Sequence, residues 1–230
     1  MKRKFTKTIG AVAITAMMAT TSLASDRDYE NKLALGAKVG TAGFGVEGRI
    51  PVTESLYGRF GVNYFHYSHA LHKGALNYKG KLTLLTVPLM LDYHPFEGSG
   101  FRLSGGIAYN GNKVSATALP NKSVTLNNHT YTAADLGSVK ATLTLGQKVV
   151  PVISLGYDSS FVSDSRVSFN AEAGFMYLGT SKVRVSANGV GASNQSLIND
   201  LNQDANKSLK QVKNYLRFFP VVSLGFKYNF

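Results

Sequence analysis

The side chains best equipped for chemistry in this 230-residue chain sit at alternate positions inside otherwise apolar segments. Lys38, Glu47, Arg49, Arg59, Asn63, Asp92, Arg102, Asn170, Glu172 and Lys227 each have a small, aliphatic or aromatic residue on both sides, and Lys148 has one on its C-terminal side. Strand side chains alternate between two faces, so this spacing collects charge on one face and apolar surface on the other. With His94, Asn110 and Arg166, which share the parity, the charged face holds seven Lys or Arg against three Asp or Glu. Acids and bases collected this way can bind one another as an ion network. They can equally line a narrow polar path that disfavours cations.

A catalytic use would need a nucleophile beside a base that an acid orients. His66-Tyr67-Ser68 superficially resembles the H-x-S of barrel lipid A 3-O-deacylases. The next residue is His69 where that family has Asn, and no Glu follows until Glu97, in the opposite turn. His66, His69 and His72 form an H-x-x-H-x-x-H run that could attract zinc or copper. A strand would point His66 and His69 to opposite faces, and no Cys or acid lies close by, so loop polarity is the simpler account. Phosphate-binding glycine loops and paired carboxylates are absent from the sequence. The expectation is a non-enzymatic protein with no catalytic, cofactor or metal site.

The elements that must carry these residues are strands. Alternation runs through residues 33–39, 44–50, 56–64, 85–93, 101–110, 148–157, 166–177 and 220–230. The last shows it best: Val222, Leu224, Phe226, Tyr228 and Phe230 oppose Ser223, Gly225, Lys227 and Asn229. Pro88 and Pro151 fall inside strands and imply a bulge or kink. Gly40-Thr41-Ala42-Gly43 is a very short connection between the first two strands. Connections near 51–55, 95–100 and 158–164 are short, and those near 66–80, 117–139 and 180–217 are long, the alternation expected of membrane barrels. In the last long stretch, Leu197, Leu201, Ala205, Leu209, Val212 and Leu216 recur at helical spacing, which predicts an extracellular helix over about 194–216 with its apolar stripe over the barrel mouth. Tyr64, Tyr93, Tyr109, Tyr157, Tyr177 and Tyr228 fall on the apolar parity near strand ends, as interfacial girdles do, while Tyr57 points inward.

The fold class that follows is all-β, an eight-stranded antiparallel transmembrane up-and-down barrel with a helix in an extracellular loop. Its apolar parity faces lipid, because a charge at the midplane would cost roughly 2–4 kcal/mol there. Eight strands leave an interior only just wide enough for side chains to fill. Lys2, Arg3, Lys4 and Lys7, the weakly apolar run 9–21 and the small residues Ser22-Leu23-Ala24 read as a cleaved signal over 1–24, with the barrel domain in 25–230. Loss of those four cations takes the net charge from +12 to +8. An exported basic protein has little access to nucleic acid; anionic outer-membrane lipids, lipopolysaccharide and small solutes are its expected partners. The chain has no cysteine, so thiol chemistry and disulfides are excluded.

The aromatic Phe230, with Phe226 and Tyr228 on the same parity, resembles the insertion signal that the barrel-assembly machinery reads. Three blocks resemble the CarO-type outer-membrane barrels: Asp92-Tyr-His-Pro-Phe96 with 101–110, then 175–184, then the helix leading to 219–226. The resemblance runs from about Leu33 to Phe230 and implies eight strands, an outer-membrane location, a helix-bearing extracellular loop and a role in uptake of small solutes such as basic amino acids. The basic inner face sits badly with cationic cargo. The alternative is a closed structural or surface-interaction barrel whose basic loops contact lipopolysaccharide.

Overall fold

The computed structural model describes residues 33–73, 76–120, 123–127, 129–163, 165–191, 193–212 and 215–230. The expected signal, 1–24, lies outside them. Eight strands close a ring: β1 (Ala34–Gly40), β2 (Gly43–Pro51), β3 (Leu56–Lys73), β4 (Leu76–Tyr93), β5 (Phe101–Asn110), β10 (Val149–Asp158), β11 (Val167–Tyr177) and β13 (Phe218–Asn229). Every neighbouring pair is antiparallel, and β13 returns to β1 with Ala34 opposite Asn229 and Gly40 opposite Ser223. All eight segments with alternating sequence become barrel strands.

The alternation decides which face meets what. Phe44, Val46, Leu89, Ile153, Leu155 and Phe226 are all more than half exposed, around the whole circumference. An apolar belt of that extent on a closed ring is a lipid-facing surface. Tyr93, Tyr157 and Tyr228 stand outward at the short-turn end, and Tyr64, Tyr109 and Tyr177 in the other half. Those two rings bracket the belt as amphipathic girdles do. Among the described residues no helix is long and apolar enough to cross a membrane; the crossing elements are strands.

The prolines behave differently. At Pro88 the β3–β4 ladder breaks between Phe60↔Leu89 and Asn63↔Thr86 and resumes in the same register, so the missing donor costs rungs without shifting a face. Pro151 lies just outside the β10–β11 ladder, which begins at Val152.

In the stretch near 66–80, expected as a long loop, residues 66–73 and 76–80 are instead strand. β3 and β4 run 18 residues each and rise together above the belt. There β4 changes partner. Its lower part pairs with β5, and its upper part pairs with β6 (Lys113–Leu119) from Asn77↔Leu119 to Thr83↔Lys113. β6 then pairs with β9 (Val139–Thr144), and β9 with β12 (Lys182–Ala187). The pivot is Asn110-Gly111-Asn112: the Leu85 N–H donates to Asn112 Oδ1 (2.9 Å) and the Gly111 N–H to the Leu85 carbonyl (2.8 Å). A five-stranded upper sheet, in the order β3, β4, β6, β9 and β12, thus flares from the barrel. A hairpin of β7 (Val124–Leu126) and β8 (His129–Tyr131) and the single-turn α1 (Ala133–Leu136) lie between β6 and β9. Helix α2 (Gln195–Val212) covers the free edge. Leu197 and Leu201 bury against Val185, Tyr131 and Leu136, and the Asn202 side chain accepts from the Val185 N–H (2.9 Å) in place of a further strand. The predicted helix over 194–216 is this one, ending at Val212.

Candidate functional site: the filled lumen and the basic upper face

Parity alone sends the polar set inward. Ten of the eleven candidates, Lys38, Glu47, Arg49, Arg59, Asn63, Asp92, Arg102, Asn170, Glu172 and Lys227, lie inside the barrel. Lys148 does not. β10 begins at Val149, and the bend over 145–148 leaves Lys148 exposed at the long-loop rim. Arg166 also stands exposed, just before β11. Asp158, which the sequence placed in a turn, is the last residue of β10 and completely buried in the lumen. The charge count inside is therefore five Lys or Arg against four Asp or Glu, close to balance rather than strongly cationic.

Arg59 is the hub. Its Nε and Nη2 donate to the two Asp92 oxygens (2.7 and 3.1 Å), and Nη1 and Nη2 donate to those of Glu172 (3.1 and 2.9 Å). Nη1 also reaches Glu47 (3.3 Å). A planar guanidinium matches two carboxylates side by side, which the point charge of lysine cannot. Lys38 Nζ sits 2.7 Å from Glu47, and Lys227 Nζ donates to Asp158 (2.8 Å) and lies 3.4 Å from Glu47. Ser154 donates to Glu172 (2.6 Å) and Asn170 to Glu47 (3.3 Å). Arg102 lies 3.6–3.9 Å from Asp92, Asp158 and Glu172.

Both ends of this network are stopped. At the short-turn end, Arg49 donates to Asp158 (3.1 Å), Ser160 (2.9 Å) and Asn229 (3.0 Å). Its guanidinium lies over Tyr57 and Phe161, 5.2 and 5.1 Å from their centroids, and His94 stacks on Phe161 at 3.7 Å. Phe161 comes from a one-turn helix whose start Asp158 caps, accepting from the Ser160 N–H. Toward the long loops the inward face turns apolar: Met90, Ala108, Val150, Val152, Met176, Leu145 and Leu178 form a core that Leu216, Phe219 and Val221 close over. A cavity between the two layers has water-sized room of about 30 Å³, enough for one or two waters and no solute. As folded, the lumen is closed.

The upper sheet has a second concentration of charge. Cross-strand partners share a face, so the register lines up Lys182, Thr144, Lys113, Thr83 and His66. Above them, farther from the belt, come Arg184, Thr142, Ser115, Lys81 and Ser68, then Ser186, Lys140, Thr117, Lys79 and Ala70. The Ser115 and Thr142 hydroxyls, 3.3 Å apart, report that common face. Lys79, Lys81 and Thr83 share parity with the lipid-facing Val87, Leu89 and Leu91 of β4, so this is the outward face carried above the belt. It holds six cations, all exposed and no two directly opposite, and no acid. His66 is on it, with Nδ1 3.1 Å from Thr83 Oγ1, while His69 points to the other face and stacks near Tyr67. The His72 side chain lies outside the described residues, which contain no cluster of metal-ligating groups.

No protein-family model matches the sequence, and no curated protein matches it. Solved structures do. Acinetobacter baumannii CarO2 superposes with a TM-score of 0.56 at 20% identity, over 86% of this chain and 98% of that one. Acinetobacter baumannii CarO gives 0.56 at 18%, over 89% and 100%. The chain therefore shares the fold of these two structures, a closed eight-stranded barrel.

Proposed function

We propose that the protein is a non-enzymatic outer-membrane barrel, closed at rest, whose working surface is the basic outward face of its upper sheet, held against lipopolysaccharide phosphates. The observation that carries this is the change along one continuous face, from Leu91, Leu89 and Val87 to Thr83, Lys81 and Lys79. That change occurs where hydrocarbon gives way to headgroups. Lysines separated by hydroxyls suit phosphate and sugar together, and each cation near an anionic surface is worth about 1 kcal/mol. Export by the amino-terminal signal and insertion through Phe226, Tyr228 and Phe230 belong to the same reading. The test is association of the purified barrel with nanodiscs containing lipid A against phosphatidylcholine alone. Lys81→Glu with Arg184→Glu should remove the lipid A preference while leaving heat-modifiable migration intact; an unchanged preference rejects the assignment.

A second reading is a narrow uptake path for small solutes, amino acids included. It is favoured by the cavity above Lys38, Arg59 and Glu172, which brings the long-loop side within one layer of the network. With five cations and four acids inside, such a path would select weakly by charge. Solute-resolved flux in liposomes decides between the readings. Transport by the wild type that changes in Glu172→Ala establishes the path, and no transport by folded protein leaves the closed barrel.

A further inference from the structure

The cations of the upper outward face are not scattered; the register sets them around one point. Ser115 of β6 and Thr142 of β9 are cross-strand partners whose hydroxyls lie 3.3 Å apart. Beside Thr142 on β12 is Arg184, and beside Ser115 on β4 is Lys81. Two residues along β6, toward the belt, is Lys113; two residues along β9, away from it, is Lys140. With strands about 4.8 Å apart and about 3.4 Å per residue, the backbone of each of these four stands about 7 Å from the midpoint of the hydroxyl pair. Lys79 and Lys182 stand about 10 Å out on the same lattice, at opposite corners. A half-turn about the midpoint exchanges Arg184 with Lys81, Lys113 with Lys140 and Lys182 with Lys79.

The inner four are exposed, the hydroxyl pair is half-buried, and no acid shares the face. Lysine and arginine carry their charge on long flexible stems, so all four can lean toward one anion at the centre. The two hydroxyls use one hydrogen between themselves and keep a second to donate. The reverse face of β9 and β12 packs on α2 through Val183, Val185, Val139 and Ala141, which gives the ring a firm backing. Lys81, level with the pair, is four residues above Leu85 on β4, itself opposite Tyr64 of the girdle. At about 3.3 Å per residue and about 45° of tilt, the centre lies on the order of 10 Å past the girdle, level with headgroups. A phosphate monoester brings about −1.5 to −2 charge and three acceptor oxygens. A carboxylate or a phosphodiester would bring a single charge to the same four cations.

We propose that the Ser115–Thr142 pair and its ring of Arg184, Lys81, Lys113 and Lys140 form a discrete site for one phosphate monoester group. The proposal rests on the reading of this face as the one held against lipopolysaccharide, and places the phosphate on it. The full barrel is titrated against nanodiscs containing lipid A. Ser115→Ala with Thr142→Val leaves every charge in place and should weaken binding about tenfold, the size of one charge-assisted hydrogen bond. Lys113→Gln with Lys140→Gln should also lose about tenfold or more, from two cations at about 1 kcal/mol each. Lys79→Gln with Lys182→Gln removes the same charge about a Debye length from the centre and should lose about threefold or less in about 0.1 M salt. An unchanged affinity in the hydroxyl variant, or equal losses in the two lysine pairs, would overturn the site while leaving a diffuse basic face. Absence of lipid A preference in the wild type would overturn both. Amide resonances of Ser115 and Thr142, in phosphatidylcholine nanodiscs at constant ionic strength, identify the source. Saturable shifts with inorganic phosphate mean that the free ion suffices, and shifts with lipid A alone mean a phosphate borne on a leaflet sugar. Shifts with neither would overturn the proposal.

Discussion

Arg59→Ala tests whether the lumen charges hold the barrel together. The change removes five hydrogen bonds, two each to Asp92 and Glu172 and one to Glu47. It leaves three buried carboxylates short of a partner. Breaking a buried ion pair from one side typically costs about 3–5 kcal/mol. Three acids do not triple that figure, because Lys38 remains 2.7 Å from Glu47 and Arg102 lies 3.6 and 3.9 Å from Asp92 and Glu172, near enough to take up part of the charge. A loss of about 3–5 kcal/mol is therefore expected in reversible urea unfolding from lipid bilayers. The signal must come from circular dichroism or tyrosine emission, since the chain has no tryptophan. Arg59→Lys should fall between, keeping the charge and losing the fork. Asn63→Ala, which loses one bond to Thr86, should cost about 1 kcal/mol. An Arg59→Ala loss no larger than that of Asn63→Ala would refute the hub.

The remaining expectations concern the β1–β2 turn and the upper sheet. Thr41→Val keeps the shape but leaves the Pro220 carbonyl and the Val222 N–H unpaired at a lipid-facing edge, a loss of about 1–3 kcal/mol in the same unfolding assay. Gly43 adopts φ +100° and a Cβ there would lie 2.5 Å from the Tyr64 carbonyl, so Gly43→Val should cost at least about 1–2 kcal/mol and lower the yield of folded barrel on electrophoresis. Asp200 ties the β7–β8 hairpin to α2 by accepting from Tyr131 (2.8 Å) and Asn127 (3.2 Å), with His129 Nδ1 at 2.9 Å. Those contacts, His129 first, hold its carboxyl below the ordinary 3.8. A depressed carboxyl contributes fully above its unfolded value and loses that contribution as pH falls through the folded one. The protection factors for amide exchange in β7 and β8, taken relative to the unstructured chain at the same pH, should therefore be larger near about pH 7 than near about pH 3. Asp200→Asn should remove most of the difference.

Much of this was legible because one rule, period-two alternation, governs both the strands and the location of each side chain. It gave all eight barrel strands and the interior position of ten candidates. It failed where a strand end was misjudged. Lys148 shares the parity of Val150 and Val152, but β10 begins one residue after it, so its side chain follows the bend and not the sheet. Asp158 has the same parity and was missed because its strand runs one residue further than the apolar pattern. The upper strands were missed for another reason. β6, β9 and β12 alternate too, but their outward positions hold Lys, Arg, Ser and Thr because that face stands above the hydrocarbon. A search for apolar outward positions cannot find a strand whose outward side is wet. Helix α2 follows from the spacing, but Leu197 and Leu201 of its stripe pack on Val185, Tyr131 and Leu136 of the upper sheet and its hairpin rather than over the barrel mouth, whereas the change of partner along β4 rests on the Asn110-Gly111-Asn112 pivot and has no periodic signature.

Why the interior is charged, when an apolar filling of equal volume would often be as stable, follows from the barrel's position between two apolar media. In water a buried apolar face fixes strand register, because a slip of one residue exposes it. In lipid the outside is apolar as well, so an apolar interior would leave both faces alike and register undefined. Charges restore the distinction. A one-residue slip of β2 would turn Glu47 and Arg49 to the bilayer, and of β3 Arg59, at roughly 2–4 kcal/mol for each cation near the midplane. The network also ties strands distant in sequence: Arg59 of β3 binds Asp92 of β4 and Glu172 of β11, and Lys227 of β13 binds Asp158 of β10. Only closure in the native order brings those partners together. The lumen charges can therefore be explained by specification of the barrel alone, and a solute path would have to be added to that role rather than inferred from it.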